Sequence, residues 1–299
     1  MRTRSTVAAA QDLGMSQPAV SNAIKAAEKQ LGFELFDRTS RRLVPTQEAR
    51  ILLADAEPLF LMHEQIKQTA LQLKAGRKGE LRIVASSELS ESLMPQLLSR
   101  FAKSHPGLEL SLETQRVENL LEYLEVGISD IGFAMRPTPR PNLEYVPLAE
   151  LEVICVCHRD HPLGTLEFVT PTDLREAEII NVRGMASSLI EESFVKSAVN
   201  YSPSFHVRFM NIAGYCAEEG LGVTFMDELT AANTRYARLA RIPFRPRTPI
   251  TLYAIVSAEK LRQRLINDLI RDARGEINNR LSLIEKFKGG SGSSECRGH

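Results

Sequence analysis

The stretch from Ser16 to Thr46 carries polar and basic side chains at a spacing that suits contact with DNA. Ser16 is a good helix N-cap, and Pro18 falls in the first turn, where its missing N–H costs nothing. Amides and hydroxyls recognise base edges, whereas Lys and Arg side chains hold phosphates. We therefore predict a helix that enters the major groove. The residues expected to meet the groove are Gln17, Pro18, Ser21, Asn22 and Lys25.

The element that must position these side chains is an amphipathic helix followed by a small β-hairpin, or wing. Its predicted buried face repeats at helical spacing and comprises Val20, Ala23, Ile24, Ala27 and Leu31. The segments Leu35-Phe36 and Leu43-Val44 are predicted as two short strands. A basic hairpin of this kind can lie along a minor groove or the phosphate backbone. The residues expected to do so are Arg38, Arg41, Arg42 and Thr46.

The run QPAVSNAIKAAEKQLGFELFDRTSRRLVPTQEA resembles the winged helix-turn-helix of LysR-type transcriptional regulators. The match is dense and ungapped from Ala8 to Ala49. A generic amphipathic surface helix is the alternative, but it gives no reason for a wing to follow. The resemblance implies a transcription regulator that binds double-stranded operator DNA as a homo-oligomer, a dimer or a tetramer, and that activates or represses its target.

The amino-terminal end departs from the family pattern. Thr6 to Leu13 supplies the first helix of the helix-turn-helix, and Gly14-Met15 makes the turn. Family members normally carry another helix upstream, which packs beneath these two, whereas only MRTRS precedes them here. We therefore expect a shortened DNA-binding domain with impaired affinity for DNA.

Composition indicates a globular protein of two or three domains. The chain has 299 residues, of which 43% are hydrophobic and 25% charged, with zero formal net charge. Residues 1–79 contain 12 Lys and Arg against eight Asp and Glu, whereas the remainder contains 25 against 29. A mildly basic head on an acidic body fits a protein with one DNA-facing end. Because no secretory segment or membrane-length apolar run is found, we expect a cytoplasmic protein without a membrane partner.

From Thr46 to about Leu73 the sequence predicts one long helix, kinked at Pro58. Its seam residues are spaced alternately three and four apart: Ala49, Leu52, Ala56, Leu59, His63, Ile66, Ala70 and Leu73. Such a seam indicates packing against the same helix of a second subunit, and a core helix of a larger domain is the alternative. The predicted division is a winged helix-turn-helix at 1–46, a linker and dimerisation helix at 47–78, an effector-binding domain at 79–275, and a C-terminal extension with a flexible tail at 276–299.

After the polar segment Lys74 to Gly79, strands alternate with helices, which predicts an α/β body of parallel sheets with right-handed crossovers. The predicted elements include a strand at Val153–Cys157, a helix at Pro171–Glu176 and a strand at Phe205–Met210. Two such series predict two subdomains across a cleft, at about 79–157 with 249–275 and at about 158–248. The pieces GELRIVAS, SDIGFAM and EEGLGVTFM resemble the LysR effector domain, itself similar to periplasmic solute-binding proteins.

A ligand is expected where strands of this body end at the cleft. Ser86 and Ser87 follow the first strand, so their hydroxyls and helix N–H groups can hold an anion. Arg183 and Ser187 offer the same device in the second subdomain, and Asn211 begins a third helix. N-capping is the alternative role for the serines and Asn211. The resemblance adds three effector contacts: Met135, Thr224 and Phe225. We expect a small-molecule effector, a carboxylate or an amino-acid-like metabolite.

No pattern of catalytic residues emerges from the sequence, which lacks a dinucleotide-binding glycine fingerprint, a phosphate loop and a nucleophile elbow. His158 and His161 have a spacing that metal sites use, but no second ligand pair accompanies them, so neither a metal nor a cofactor is expected. Cys155 and Cys157 are expected to be buried thiols. The alternatives left open are a small-molecule binding protein with a vestigial DNA-binding head and an enzyme on a solute-binding scaffold.

Overall fold

The computed structural model describes residues 5–37, 44–53, 56, 63, 66, 79–183, 185–233 and 235–290. The chain divides into two compact units, Met1–Leu71 and Gln72–His299, here termed the head and the body. Within the described residues, no helix combines the length and apolar character needed to cross a membrane.

The head contains a helix-turn-helix and a two-stranded hairpin. Helix α1 (Thr6–Leu13) ends at Gly14, whose left-handed backbone makes the turn before α2 (Gln17–Leu31). Strands β1 (Phe36–Asp37) and β2 (Val44–Pro45) pair antiparallel, one residue later than predicted. The next helix, α3, is described at residues 47–53, 56, 63 and 66. The predicted seam residues Leu59, Ala70 and Leu73 and the predicted kink at Pro58 lie outside the described residues.

The predicted buried face of α2 is only partly correct. Val20 is buried and Ile24 and Ala27 are half-buried, whereas Ala23 and Leu31 are exposed. The partner that packs on α2 is α1, which has only eight residues against the 15 of α2. A helix that is half as long cannot cover the whole apolar stripe.

The body is built from nine described strands and seven described α-helices. The strands are β3 (Glu80–Ala85), β4 (Glu109–Thr114), β5 (Ile131–Met135), β6 (Leu143–His158), β7 (Ile180–Val182), β8 (Phe205–Val207), β9 (Thr224–Asp227), β10 (Leu239–Pro243) and β11 (Pro249–Ser257). The helices are α4 (Ser87–Ser92), α5 (Met94–Ser104), α6 (Val117–Glu125), α7 (Met185–Lys196), α8 (Met210–Glu218), α9 (Glu228–Ala231) and α10 (Arg264–Gly290). The predicted tail beyond residue 290 lies outside the described residues.

The main sheet is mixed, not parallel throughout as the sequence predicted. Its strand order is β10-β6-β11-β5-β3-β4, and β9 also pairs with β6. Strands β3, β4 and β5 are parallel, but β6 pairs antiparallel with β9, β10 and β11. The prediction failed because the strand expected at Val153–Cys157 is only the carboxyl-terminal part of β6. Its amino-terminal part contains Pro147 and a bulge that leaves Leu148 unpaired. Both features interrupt the alternation of apolar and polar residues by which a strand is recognised in a sequence.

The body has two lobes joined by β6. We call the elements around β3, β4, β5 and β11 the first lobe, and those around β7, β8, β9 and β10 the second lobe. Strand β6 pairs with β11 in the first lobe and with β9 and β10 in the second. One hydrophobic core runs through both lobes, because buried residues of β3, β6 and β9 belong to the same cluster.

Three further local predictions are corrected or confirmed. The helix predicted at Pro171–Glu176 is a set of turns, held by backbone bonds between residues three apart and by Asp173, whose Oδ2 accepts from the Thr170 amide at 2.8 Å. The strand predicted at Phe205–Met210 stops at Val207, because α8 begins at Met210. Cys155 and Cys157 are fully buried as predicted, and burial raises the pKa of Cys157 to about 11.

We predict that Gly222→Ala destabilises the body. A Cβ at this position lies 2.2 Å from the carbonyl oxygen of Glu178, so two backbone segments must move apart. The expected loss in the free energy of unfolding is about 2–3 kcal/mol, measured by urea denaturation. Gly275→Ala is the matched control, because a Cβ there meets no atom within 4 Å among the described residues. It should leave stability unchanged or raise it by up to about 1 kcal/mol. Equal denaturation midpoints for both variants contradict the prediction.

Candidate nucleic-acid interface and ligand pocket

The polar face predicted on α2 lies at the surface of the head. Gln17, Pro18, Asn22 and Lys25 are exposed, and Ser21 is half-buried. Ser16 caps the helix, since its Oγ accepts from the Ala19 amide at 3.3 Å. This cap fixes where the helix begins and so which side chains share the exposed face.

Hydrogen bonds orient the amide of Gln17. Its Nε2 donates to the Ser21 Oγ at 3.0 Å and to the Thr6 Oγ1 at 3.3 Å. The first contact lies one turn along α2 and the second reaches α1, so the amide is held between the two helices. Because both Nε2 hydrogens are used in this way, the amide presents its oxygen, Oε1, in one direction, which suits base recognition.

The hairpin is attached to α2 and α3 by two side chains. Glu28 Oε1 accepts from the Leu35 amide at 3.0 Å, joining the last turns of α2 to the start of the wing. Thr46 Oγ1 donates to the Glu34 carbonyl at 2.9 Å and accepts from the Ala49 amide at 3.2 Å. Thr46, expected on the DNA backbone, is thus engaged as a cap of α3. The other three predicted wing residues, Arg38, Arg41 and Arg42, lie outside the described residues.

A cavity of about 160 Å³ lies in the body where strands of both lobes end. The first lobe contributes residues after β3 and β4 and the last residue of β5, and the second lobe contributes the last residue of β7 and residues after β7 and β8. Such carboxyl ends of parallel strands are where α/β folds bind ligands. The lining residues are Ser86, Ser87, Glu88, Gln115, Arg116, Val117, Glu118, Met135, Val182, Arg183, Arg208, Phe209, Met210 and Ile250.

The structure brings together four of the predicted effector residues and separates the others. Those that line the cavity are Ser86, Ser87, Met135 and Arg183. Thr224 is buried, and its Oγ1 donates to the Ile180 carbonyl at 2.8 Å. Together with Phe225 it borders a second, much smaller cavity in the second lobe. Ser187 lies in α7, and its side chain is outside the described part of the structure.

Asn211 joins the two lobes instead of lining the cavity. Its Nδ2 donates to Glu91 Oε1 at 2.7 Å, which connects α8 of the second lobe with α4 of the first. Its Oδ1 accepts from the Ile212 amide at 2.8 Å within α8. Both polar atoms of the Asn211 side chain are therefore used in protein contacts.

Two arginines of the cavity were missed from the sequence. Arg208 directly follows β8, as Ser86 follows β3, and Arg116 lies two residues beyond the end of β4. The sequence predicts a strand at Leu108–Leu112, which ends two residues before β4 does, and the strand predicted at Phe205–Met210 runs past the end of β8. With the observed ends, the rule that ligands lie beyond strand ends finds both arginines.

The Ser86 hydroxyl marks the buried end of the cavity. Ser86 is only 3% exposed, and its Oγ has no hydrogen-bond partner among the described residues. A buried hydroxyl without a partner is unfavourable by about 1–3 kcal/mol, so a bound polar group or water there is favoured. Beside it, α4 begins at Ser87 without a side-chain cap in the described part of the chain.

A buried carboxyl group, Asp227, lies at the end of β9. Its Oδ1 accepts from the Thr230 amide at 2.8 Å and so caps α9, while its Oδ2 has no partner among the described residues. Burial raises the pKa of Asp227 to about 6, and the negative charge of Glu88 contributes to the rise.

The two histidines considered as metal ligands are engaged in turns. His158 Nδ1 accepts from the Asp160 amide at 3.2 Å, and His161 Nδ1 accepts from the Leu163 amide at the same distance. Burial lowers the pKa of His161. In the part of the chain that the structure describes, no group of three or more His, Cys, Asp or Glu residues is arranged to hold a metal ion.

We predict that Asp227→Asn removes a pH dependence of stability. Because the pKa of Asp227 is higher in the folded state than its ordinary value of 3.8, the folded state binds the proton more tightly. Its contribution to the free energy of unfolding is therefore present below pH of about 4 and lost as the pH rises through about 6. Asparagine keeps the cap without titrating, so the variant should be more stable than the parent at pH 7, with the difference shrinking toward pH 4.

The measurement is urea denaturation of parent and variant across this pH range. Asp173→Asn is a control of opposite sign, because hydrogen bonds from Thr170 lower the pKa of Asp173. Its stabilisation is present at pH 7 and is lost as the pH falls through the lowered pKa. A constant difference between parent and Asp227→Asn at every pH contradicts the assignment.

Two family models match the chain. One is described as a bacterial regulatory helix-turn-helix protein of the lysR family and matches residues 1–50. The other is described as the LysR substrate binding domain and matches residues 74–277. The first match contains α1, α2 and the hairpin, and the second contains the cavity.

Curated relatives agree with these matches. The chain is 31% identical over 229 residues to the uncharacterized HTH-type transcriptional regulator YvbU of Bacillus subtilis (strain 168), covering 76% of this chain and 78% of the relative. It is 29% identical over 259 residues to the transcriptional activator protein LysR of Escherichia coli (strain K12), covering 85% and 83%.

Solved structures share the fold. The crystal structure of CbnR, a LysR family transcriptional regulator, aligns with a TM-score of 0.69 at 21% identity and covers 92% of this chain and 94% of that one. Full-length CbnR in complex with its target DNA aligns with a TM-score of 0.67 at 22% identity, covering 92% and 95%.

Proposed function

Because the chain belongs to the LysR family of transcriptional regulators, we propose that α2 reads an operator and that a small molecule in the body cavity controls this binding. The observation that carries the proposal is the exposed polar face of α2, held by the Ser16 cap and by the contacts of Gln17. A DNA-reading face in the head and a ligand cavity in the body are the two parts that such a regulator needs. Its place of action is then the cytoplasm, where the DNA lies.

The DNA contacts follow from the exposure of each side chain. We propose that Gln17, Ser21 and Asn22 contact base edges in the major groove, with Pro18 against the groove wall. Lys25 lies one turn beyond Ser21 on the same face and suits a phosphate. Arg38, Arg41 and Arg42 keep their predicted role on the wing, whereas the contacts of Thr46 favour a structural role.

A second copy of the chain is the proposed partner of α3. Among the described residues of this helix, Ile51, Leu52, Leu53 and Ile66 are exposed, with Ile66 at 63%. Exposed aliphatic side chains on one helix favour a partner surface. A homo-oligomer also places two reading helices on one operator, as an inverted repeat requires. Within this assembly we keep the proposed domain limits of 1–46, 47–78, 79–275 and 276–299.

The effector that this cavity favours carries at least one carboxylate. Arg183 and Arg208 are exposed into the same cavity as the buried hydroxyl of Ser86. Guanidinium groups bind carboxylates through paired hydrogen bonds, and a serine hydroxyl adds a further donor. We propose that the body acts by binding this ligand and not by turning it over.

The rival function is a small-molecule binding protein whose head no longer recognises DNA. The cavity fits both functions equally well. DNA binding by the head therefore distinguishes them. The experiment is a search for preferred DNA: the full chain selects duplexes from a random-sequence library. Enrichment of an inverted repeat supports the regulator, and recovery of random sequence only supports the rival.

We predict that α2 and the wing contribute differently to DNA binding. Ser21→Ala combined with Asn22→Ala should reduce the preference for the selected duplex over a scrambled one by more than about tenfold, since each base contact contributes about 1–3 kcal/mol. Arg42→Ala should weaken binding to both duplexes and flatten the salt dependence, because a phosphate contact releases counterions.

Fluorescence anisotropy between about 50 and 200 mM salt measures both effects. Gln30→Ala is the matched control, because Gln30 is exposed at the far end of α2. It should leave preference and salt slope unchanged. Undiminished preference in the double variant, or a salt slope of Arg42→Ala equal to that of the parent, contradicts the assigned roles.

A further inference from the structure

The charges around the cavity are divided unevenly between its two walls. The first-lobe wall carries two carboxylates, Glu88 and Glu118, together with Arg116. The second-lobe wall carries Arg183 and Arg208, and no acidic residue lines it within the described part of the chain. The charged side chains of the second-lobe wall are therefore all cationic. The first-lobe wall carries one guanidinium group and two carboxylates, which can accept hydrogen bonds from a cationic group of a ligand.

These charges do not neutralise one another across the cavity. Within the described residues, none of the three arginines forms an ion pair shorter than 4.0 Å with Glu88 or Glu118. Other arginines of the body do find carboxylates, as Arg82 does with Asp130 at 3.0 Å. Charges of both signs without ion-pair partners around one cavity favour a ligand that carries charges of both signs. When binding removes water from a charged side chain, an opposite charge of the ligand then pairs with it.

The uncharged residues of the cavity limit the size and polarity of the ligands that fit. Met135 and Ile250 line the cavity and are buried, which suits a short aliphatic segment of a ligand. The Ser86 hydroxyl lines the same cavity without a partner among the described residues and can donate to a carboxylate oxygen. The ligand is thus a short carbon chain with charged ends, not a large apolar molecule.

We propose that the effector is an amino acid with a second acidic group. One carboxylate binds Arg183 and Arg208, the ammonium group binds Glu88 and Glu118, and the second acidic group binds Arg116. Three guanidinium groups against two carboxylates leave one positive charge, which a ligand of net charge −1 neutralises. This inference rests on the proposed function only in taking the cavity as the effector site.

The test compares ligands that differ by one charge. Glutamate is matched with glutarate, which lacks the ammonium group, and with 4-aminobutyrate, which lacks one carboxylate; aspartate is matched in the same way with succinate and β-alanine. Isothermal calorimetry on the full chain gives each dissociation constant. We expect one amino dicarboxylate, as the L or D form, to bind at least about tenfold more tightly than both of its matched compounds.

Variants assign each charge to its wall. Glu88→Gln with Glu118→Gln should abolish the difference between the amino dicarboxylate and its diacid, whereas Arg208→Gln should weaken both by about tenfold or more. Arg159→Gln, an exposed arginine outside the cavity, is the matched control and should bind as the parent does. Thermal unfolding of the free variants verifies that each remains folded.

Several outcomes overturn the proposal. A diacid that binds as tightly as its amino acid removes the role of the carboxylates, and so does an unchanged preference in the Glu88 and Glu118 variant. Absence of binding by both amino dicarboxylates at about 10 mM also overturns it. DNA binding is measured on the same preparations without ligand, so that a failure of the DNA-binding proposal is seen separately from a failure of the ligand proposal.

Discussion

The long strand β6 is the constraint on which the rest of the body depends. It pairs with β11 in the first lobe and with β9 and β10 in the second, so both lobes share one strand. Leu151, Val153 and Cys155 on this strand are at most 2% exposed and belong to a single core cluster. Because backbone hydrogen bonds hold β6 along both edges, the walls of the cavity keep a defined separation.

The charge of the cavity follows from this arrangement of strands. The parallel strands of each lobe end at the same crevice, and residues one or two positions beyond β3, β4, β7 and β8 line the cavity. Ser86, Arg116, Arg183 and Arg208 all occupy such positions. Because these residues lie outside the hydrophobic core, their substitution changes which ligand fits without changing the fold. The chemistry of the cavity therefore depends on a few positions, and the architecture depends on the core.

Local signals in the sequence predicted the head and much of the body. The Ser16 cap and the Gly14 turn are encoded within a few residues, and both are found as predicted. What failed depends on distant partners. The first half of β6 is held by pairing with β11, and Pro147 further obscures the strand pattern in its sequence. Arg208 was missed for a similar reason, because only tertiary packing fixes where β8 ends.

The hydrogen bond between Asn211 and Glu91 links the two lobes, so a ligand that pushes them apart must break it. It spans the two lobes at 2.7 Å beside the cavity, without contributing to its lining. A bulky molecule that wedges α4 away from α8 breaks this bond and forfeits about 1 kcal/mol, whereas a compact one leaves it intact. We therefore expect this contact, which lies outside the cavity lining, to disfavour bulky ligands whatever their charge.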